Sequence, residues 1–336
     1  MTSHFLKIKS IIAERPIPLN SCAITTSIIF LLFYLYSRGE KIPSTVLMKY
    51  LIFVLIICIS ASHSFLFDIN KSEPAWETFR VTWGPNPLSK NYYVKQPLTV
   101  TEAKKEGFTQ ISTQCNGTFL GQRFIKGNDI GVILIYDIRG TLAGVQMALP
   151  VSMAKRDLYK FDTVKMFNRD TVAGIDAYVL TAYFVDPRTI CGSGRDAALL
   201  KIEGMGTGLW LQNGSDPIIN SVQTPLYENN VNTTKWVKGS CFPSMGMHYW
   251  YDNRVDKECD EIFPVFLLYN KGKLTGLGWG LAGKYEYSKR TEPVPYNAVS
   301  SFMRIVPTCL KSYYDEVGGF TSIHLYFNTA PWNLLC

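Results

Sequence analysis

The chain has 336 residues, 47% hydrophobic and 13% aromatic, which is enough apolar mass to bury one to three cores and too much for a disordered chain. Its formal net charge of +7 is gathered at the N-terminus: residues 1–63 hold six of the 34 Lys/Arg and two of the 27 Asp/Glu, leaving 28 basic against 25 acidic residues, a net +3, for the rest. So balanced a surface lacks the basic stripe that a phosphate backbone requires, and argues against nucleic acid as a partner.

Two apolar runs open the chain, 22–36 (CAITTSIIFLLFYLY) and 50–59 (YLIFVLIICI), each shorter than the ~20 residues that cross a bilayer comfortably. The second has the form of a signal peptide over 48–64. Met48-Lys49 supplies the charged start, an apolar stretch follows, and Ser60-Ala61-Ser62-His63-Ser64 offers small residues for cleavage. Its late position admits two readings. Either translation begins at Met48 and residues 1–47 are an upstream extension, or one apolar run is kept as an anchor that tethers the protein to a membrane through its N-terminus. If both runs spanned, the long C-terminal part would return to the cytosol, and its cysteines and glycosylation sequons speak against that. Everything beyond about residue 64 is therefore expected in an oxidising compartment, secreted or on the extracytoplasmic face of a membrane.

Strand signals dominate the remainder, at 79–83, 119–125, 130–137, 141–149, 176–185, 208–212, 246–251, 264–270, 273–280 and 321–327. Helical segments are few and short. Residues 101–107 (TEAKKEG) have Thr99 and Glu102 at capping-box spacing and Gly107 as a stop; 298–305 and 309–317 are the others. The predicted class is mainly β, an α+β chain with minor helix.

Set against itself, the chain repeats. FRVTWGPNP (79–87) answers WLQNGSDP (210–217), each a short strand closed by turn residues. VKQPL (94–98) answers VQTPL (222–226), and Cys115 precedes Gly121-Gln122-Arg123-Phe124 much as Cys241 precedes Gly246-Met247-His248-Tyr249. The clearest match pairs VILIYDIRGTLAGV (132–145) with VFLLYNKGKLTGL (265–277): an apolar strand ends in Tyr-Asp or Tyr-Asn, turns at Gly140 or Gly272, and returns as Leu-x-Gly. Last, Tyr183-Phe184 leads through Pro187 to Cys191 as Tyr326-Phe327 leads through Pro331 to Cys336. Matches in one order read as a tandem duplication of an antiparallel-sheet domain. One copy runs over 76–191 and the other over 207–336, joined by a connector at 192–206. The two central hairpins, apolar on both faces, should lie at the buried centre of each sheet.

Cys22 and Cys58 fall inside the apolar runs. The six others form an even set, which in a secreted chain implies disulfides. Those shared by both copies pair most simply as Cys115–Cys191 and Cys241–Cys336, leaving Cys259–Cys309 for the second copy alone. Pairing across copies stays open, because sequence supplies no Cα distances. No CxxC occurs, so zinc ribbons and thioredoxin-type sites lack support. Sequons stand at Asn70, Asn116, Asn213 and Asn232, all in turn-like sequence suited to N-glycosylation.

Chemistry-bearing residues are sparse, and no catalytic residue is assigned. Phosphate-binding glycine loops and a Gly-x-Ser-x-Gly elbow are absent, so the chain reads as a binding protein more readily than as an enzyme. Acids at Asp256, Glu258, Asp260 and Glu261 cluster about Cys259 in a polar loop and read as solvated. His248 and His324 lie in the second copy opposite Arg123 and Thr181 of the first. With a thioether from Met245 or Met247 they have the donor types of a copper-like metal site; the bland alternative is two buried histidines among gap-filling methionines. His248-Tyr249-Trp250-Tyr251 must place aromatics on both faces of one strand, and an open face there, with Arg123 as its counterpart, would suit protein or glycan contact. The expected function is thus a secreted or cell-surface, disulfide-bonded glycoprotein that binds an extracellular protein, a glycan or a small apolar ligand. The alternative is a metal-binding protein or enzyme centred on His248 and His324. No cofactor is specified.

Overall fold

The computed structural model describes residues 76–82, 90–328 and 330–336; the leader over 1–64 and the sequon at Asn70 lie outside them. The described elements begin with a hairpin of β1 (Arg80–Thr82) and β2 (Tyr93–Lys95), then α1 (Val100–Lys105) and the meander β3 (Phe108–Gln114), β4 (Gly121–Lys126), β5 (Asp129–Tyr136) and β6 (Leu142–Pro150). A hairpin of β7 (Asn168–Val172) and β8 (Ile175–Tyr183) leads through α2 (Pro187–Cys191) and α3 (Ala197–Glu203) to another, β9 (Trp210–Gln212) and β10 (Ser221–Gln223). A 3-10 turn over Glu228–Thr233 precedes the second meander, β11 (Trp236–Phe242), β12 (Gly246–Tyr251), β13 (Val265–Asn270) and β14 (Lys273–Ala282). The last elements are β15 (Glu292–Val294), a 3-10 helix over Tyr296–Ser301, α4 (Leu310–Val317) and β16 (Phe320–Tyr326).

The fold is mainly β, as the strand signals imply: two antiparallel sheets of eight strands each, with few helices. Sheet I runs β10-β9-β8-β6-β5-β4-β3 with β7 on β8, and sheet II runs β2-β1-β16-β14-β13-β12-β11 with β15 on β16. The two orders correspond strand for strand. Both sheets are assembled across the two sequence spans: β1 and β2 close sheet II on β16, while β9 and β10 close sheet I on β8.

Strand alternation sorts the side chains. Val132, Leu134 and Tyr136 of β5 share one large core with Leu267, Tyr269, Leu277 and Trp279 of sheet II, so the sheets pack face to face. The intervening residues Ile133 and Ile135 pack in smaller clusters on the outer face. That is why 132–136 is apolar on both faces.

Glycines fix the matched turns. Gly121 and Gly246 have φ of +89° and +96°, and a Cβ there would lie 2.5 Å from the Tyr136 carbonyl or 2.6 Å from that of Tyr269. A side chain at either position is excluded on both counts. The matched tyrosines act alike: Tyr136 donates to the Pro97 carbonyl at 3.0 Å, and Tyr269 to that of Pro225 at 2.5 Å.

The helix expected at 101–107 is α1, a residue earlier. Thr99 caps it by accepting from the Glu102 amide at 3.2 Å, while the Glu102 carboxylate accepts from the Leu98 amide at 2.9 Å. The segment expected as helix at 298–305 is instead the 3-10 turn over Tyr296–Ser301, which starts after Pro295 and is capped at Phe302. Strands β2, β3, β7, β10, β11 and β15 carry no clear sequence signal. Among the described residues, no helix is long and apolar enough to cross a membrane.

Among the described residues three cystines form, Cys115–Cys191, Cys241–Cys336 and Cys259–Cys309, with Cα separations of 5.5, 5.7 and 6.0 Å. The last closes 50 residues, which in the chain-entropy account contributes about 4 kcal/mol. Cys259→Ala/Cys309→Ala is expected to lower the urea unfolding free energy by about that amount; an unchanged midpoint would show that this bridge does not form.

Candidate functional site

The outer face of sheet II is hollow. On β14, Gly276, Gly278 and Gly280 recur at every second residue, so that face of the strand carries no side chains over 276–280. Phe266 of β13 lies flat over Gly278, where a Cβ would stand only 2.0 Å from its Cζ. At Gly280 the space is free, with the nearest atom of Phe266 at 3.8 Å. Residues 292–303 arch over this trough and bound with it a partly open cavity of about 470 Å³. Its walls are Phe266, Phe302, Val299, Met303, Leu310 and Phe263, with a small polar set at one side.

That polar set contains both histidines. His248 of β12 and His324 of β16 lean together over Phe266, with ring centroids 6.4 Å apart. His248 Nδ1 lies 3.2 Å from the Ser240 carbonyl oxygen, an atom that only accepts, so Nδ1 carries the proton. Its Nε2 is buried and has no hydrogen-bond partner. Burial above all, with the neighbouring His324, drives the His248 pKa down to about 3, partly offset by the backbone at Ser240 and Gly246. His324 Nδ1 lies 3.1 Å from Glu292 Oε2. The same carboxylate accepts from the Thr82 hydroxyl through Oε1 and from the Tyr92 hydroxyl. Burial, followed by the charge on Glu292, holds the Tyr92 phenol well above its ordinary value.

Of the residues singled out in sequence, the structure brings together His248, His324 and Met245, which all line the cavity. Met247 points the other way and packs on the central core, as alternation along β12 demands. Among the described residues, no group of three or more His, Cys, Asp or Glu is placed to hold a metal ion.

The aromatic strand does not present the open face that its sequence suggested. Tyr249 is buried and donates to Glu228 at 2.7 Å, Trp250 lines the cavity and donates to the Phe302 carbonyl at 3.1 Å, and Tyr251 packs on Trp236 and Phe263. Arg123 is buried too, paired with Asp170 at 2.6 Å and donating to Ser112 at 2.7 Å. The acidic loop is solvated: Asp260 and Glu261 pair with Lys160, and Asp256 with Arg254.

Sequence reasoning missed Glu292, Thr82 and Tyr92. Nothing local marks Glu292, which sits in the run Arg290-Thr291-Glu292-Pro293. The trough itself did leave a signal in GLGWG (276–280), since glycine at alternate strand positions strips one face.

No protein-family model matches this chain, and no curated protein or solved structure matches it.

His248 gives the site a pH signature. An imidazole in the unfolded chain protonates near 6.5, whereas His248 resists protonation down to about 3. Between those values the unfolded state binds the extra proton, so stability falls as pH drops through the window, on the order of a few kcal/mol in all. His248→Phe is expected to make the acid limb of a stability–pH curve shallower by about one proton. A limb identical to wild type would mean that His248 is not held neutral.

Proposed function

We propose that this chain is a secreted or cell-surface, disulfide-bonded glycoprotein that acts by binding a small, mainly apolar ligand in the cavity of sheet II. The observation that carries the reading is the cavity: about 470 Å³, walled by aromatic and aliphatic side chains, with its few polar groups gathered at one side. Small-molecule sites share that build, at roughly 300–1,000 Å³. The three cystines support an oxidising compartment. Asn116 and Asn232 are exposed, as a glycan requires, and Asn213 is half-buried. The leader over 48–64 supplies the route.

The duplication belongs to the same proposal. The corresponding strand orders, the matched tyrosine anchors and the matched glycines support descent from one repeated unit, with ligand binding kept in one half. By strand register, Gln146 and Arg123 of sheet I occupy the positions of Gly278 and His248 in sheet II. Gln146 donates to Thr181 at 3.0 Å and Arg123 pairs with Asp170, so side chains fill the face that sheet II leaves hollow.

A neutral, polarity-sensitive dye such as N-phenyl-1-naphthylamine tests this. The full chain should bind it with enhanced emission, and Gly280→Leu, which the free space at that Cβ admits, should weaken binding at least about tenfold, or ~1.4 kcal/mol. Undiminished uptake by the variant would remove the cavity as the binding site.

A second reading, a copper-like ion on His248 and His324 with the Met245 thioether, is favoured by one observation. Each imidazole turns Nδ1 to an oxygen acceptor, Ser240 or Glu292, an outer-shell arrangement that metal-bound histidines use. It requires stoichiometric metal in the purified protein, lost in His248→Ala; metal-free protein after growth with copper and zinc would end it.

A further inference from the structure

We propose that the ligand of the sheet II cavity is an uncharged apolar alcohol, whose hydroxyl donates its hydrogen bond to His248 Nε2. The inference rests on the binding reading above and names the chemistry of the ligand's polar end.

The tautomer decides what His248 can do. With its proton fixed on Nδ1 by the Ser240 carbonyl at 3.2 Å, Nε2 presents a lone pair and can only accept. That atom is buried and unpartnered, in a side chain 1% exposed on the cavity wall. A buried acceptor without a donor is costly, and a ligand that brings the donor recovers the cost.

The surroundings then discriminate among donors and acceptors. Glu292 stands at the same end of the cavity, so a carboxylate ligand would meet like charge at close range. The Glu292 oxygens already accept from Thr82, Tyr92 and His324. An ammonium would be drawn by that charge, but His248 Nε2 and at most one remaining Glu292 lone pair cannot serve its three protons, so part of its hydration would be surrendered without replacement. An alcohol brings one donated hydrogen and no charge, and its hydrocarbon part matches walls such as Phe302, Met303 and Leu310.

Displacement of the bound dye from the full chain by ligands of one chain length tests the assignment: 1-decanol, decanoate, decylamine and decyl methyl ether. The expected result is 1-decanol displacing at least about tenfold more tightly than the other three, as one recovered buried hydrogen bond implies. His248→Phe should reduce 1-decanol to the level of the ether while leaving the ether unchanged. Decanoate or decylamine matching 1-decanol in the wild-type protein would overturn the inference and leave the cavity reading intact. An unchanged alcohol-to-ether ratio in His248→Phe would do the same. Failure of the dye to bind, or uptake indifferent to Gly280→Leu, would overturn the cavity reading and this inference with it. The wild-type ligand series is decisive by itself if the variant does not fold.

Discussion

A β-strand at the rim of a sheet presents unpaired N–H and C=O groups that must find partners or face water. In this protein β8 and β16, each with a long run of buried residues, are each closed by a hairpin from the other sequence span. β9–β10 completes sheet I and β1–β2 completes sheet II. This closure places Tyr183 and Tyr326 inside the sheets, lets the inner faces share one continuous core, and brings Thr82 and Tyr92 against Glu292. The candidate site depends on it directly. Without the hairpin, the Glu292 carboxylate would lose two of its three donors at the edge of an apolar cavity.

The contrast between the sheets shows how little is needed to turn a filled face into a hollow one. Gln146 and Thr181 hydrogen-bond across one face, and Arg123 reaches Asp170 beside them. At the same register sheet II has Gly278, His248 and His324, and at the position of Asn168 it has Glu292. Removing a glutamine side chain opens space. Exchanging a guanidinium and a hydroxyl, Arg123 and Thr181, for two imidazoles replaces them by atoms whose role depends on the tautomer. The backbone is spared, because Gly276, like Gly144 in sheet I, sits where a Cβ would press on a neighbouring carbonyl at 2.4 or 2.7 Å.

What could be read from the sequence was whatever is local or repeated. The hairpins at 132–145 and 265–277 carry both their strands and their turn in one short run, and the capping box at Thr99 and Glu102 spans four residues. The places of Cys115, Cys191, Cys241 and Cys336 in matched segments made two of the cystines the simplest pairing, with Cys259 and Cys309 left over, though sequence alone kept pairing across copies open. Three-residue strands such as β2, β10 and β15 were illegible, since their extended form is a product of the neighbour they pair with. Glu292 was illegible for a related reason: its partner His324 lies 32 residues away, and a glutamate beside Pro293 reads as loop. The exposed aromatic face expected at 249–251 failed because alternation gave Tyr249 to the core and the arch over 292–303 covered Trp250.

The crossing of β1 and β2 to the far end of the chain bears on how the molecule is made. Thr82 and the strand that receives it, at His324, are 242 residues apart. At ribosomal rates of about 5–20 residues per second, the earliest segment of the fold waits roughly 12–48 s for its seat to be synthesised. Sheet I can form while translation continues. Sheet II, and with it the polar end of the cavity, is finished only after the last strand emerges, so the first-made of the described strands is the last to dock.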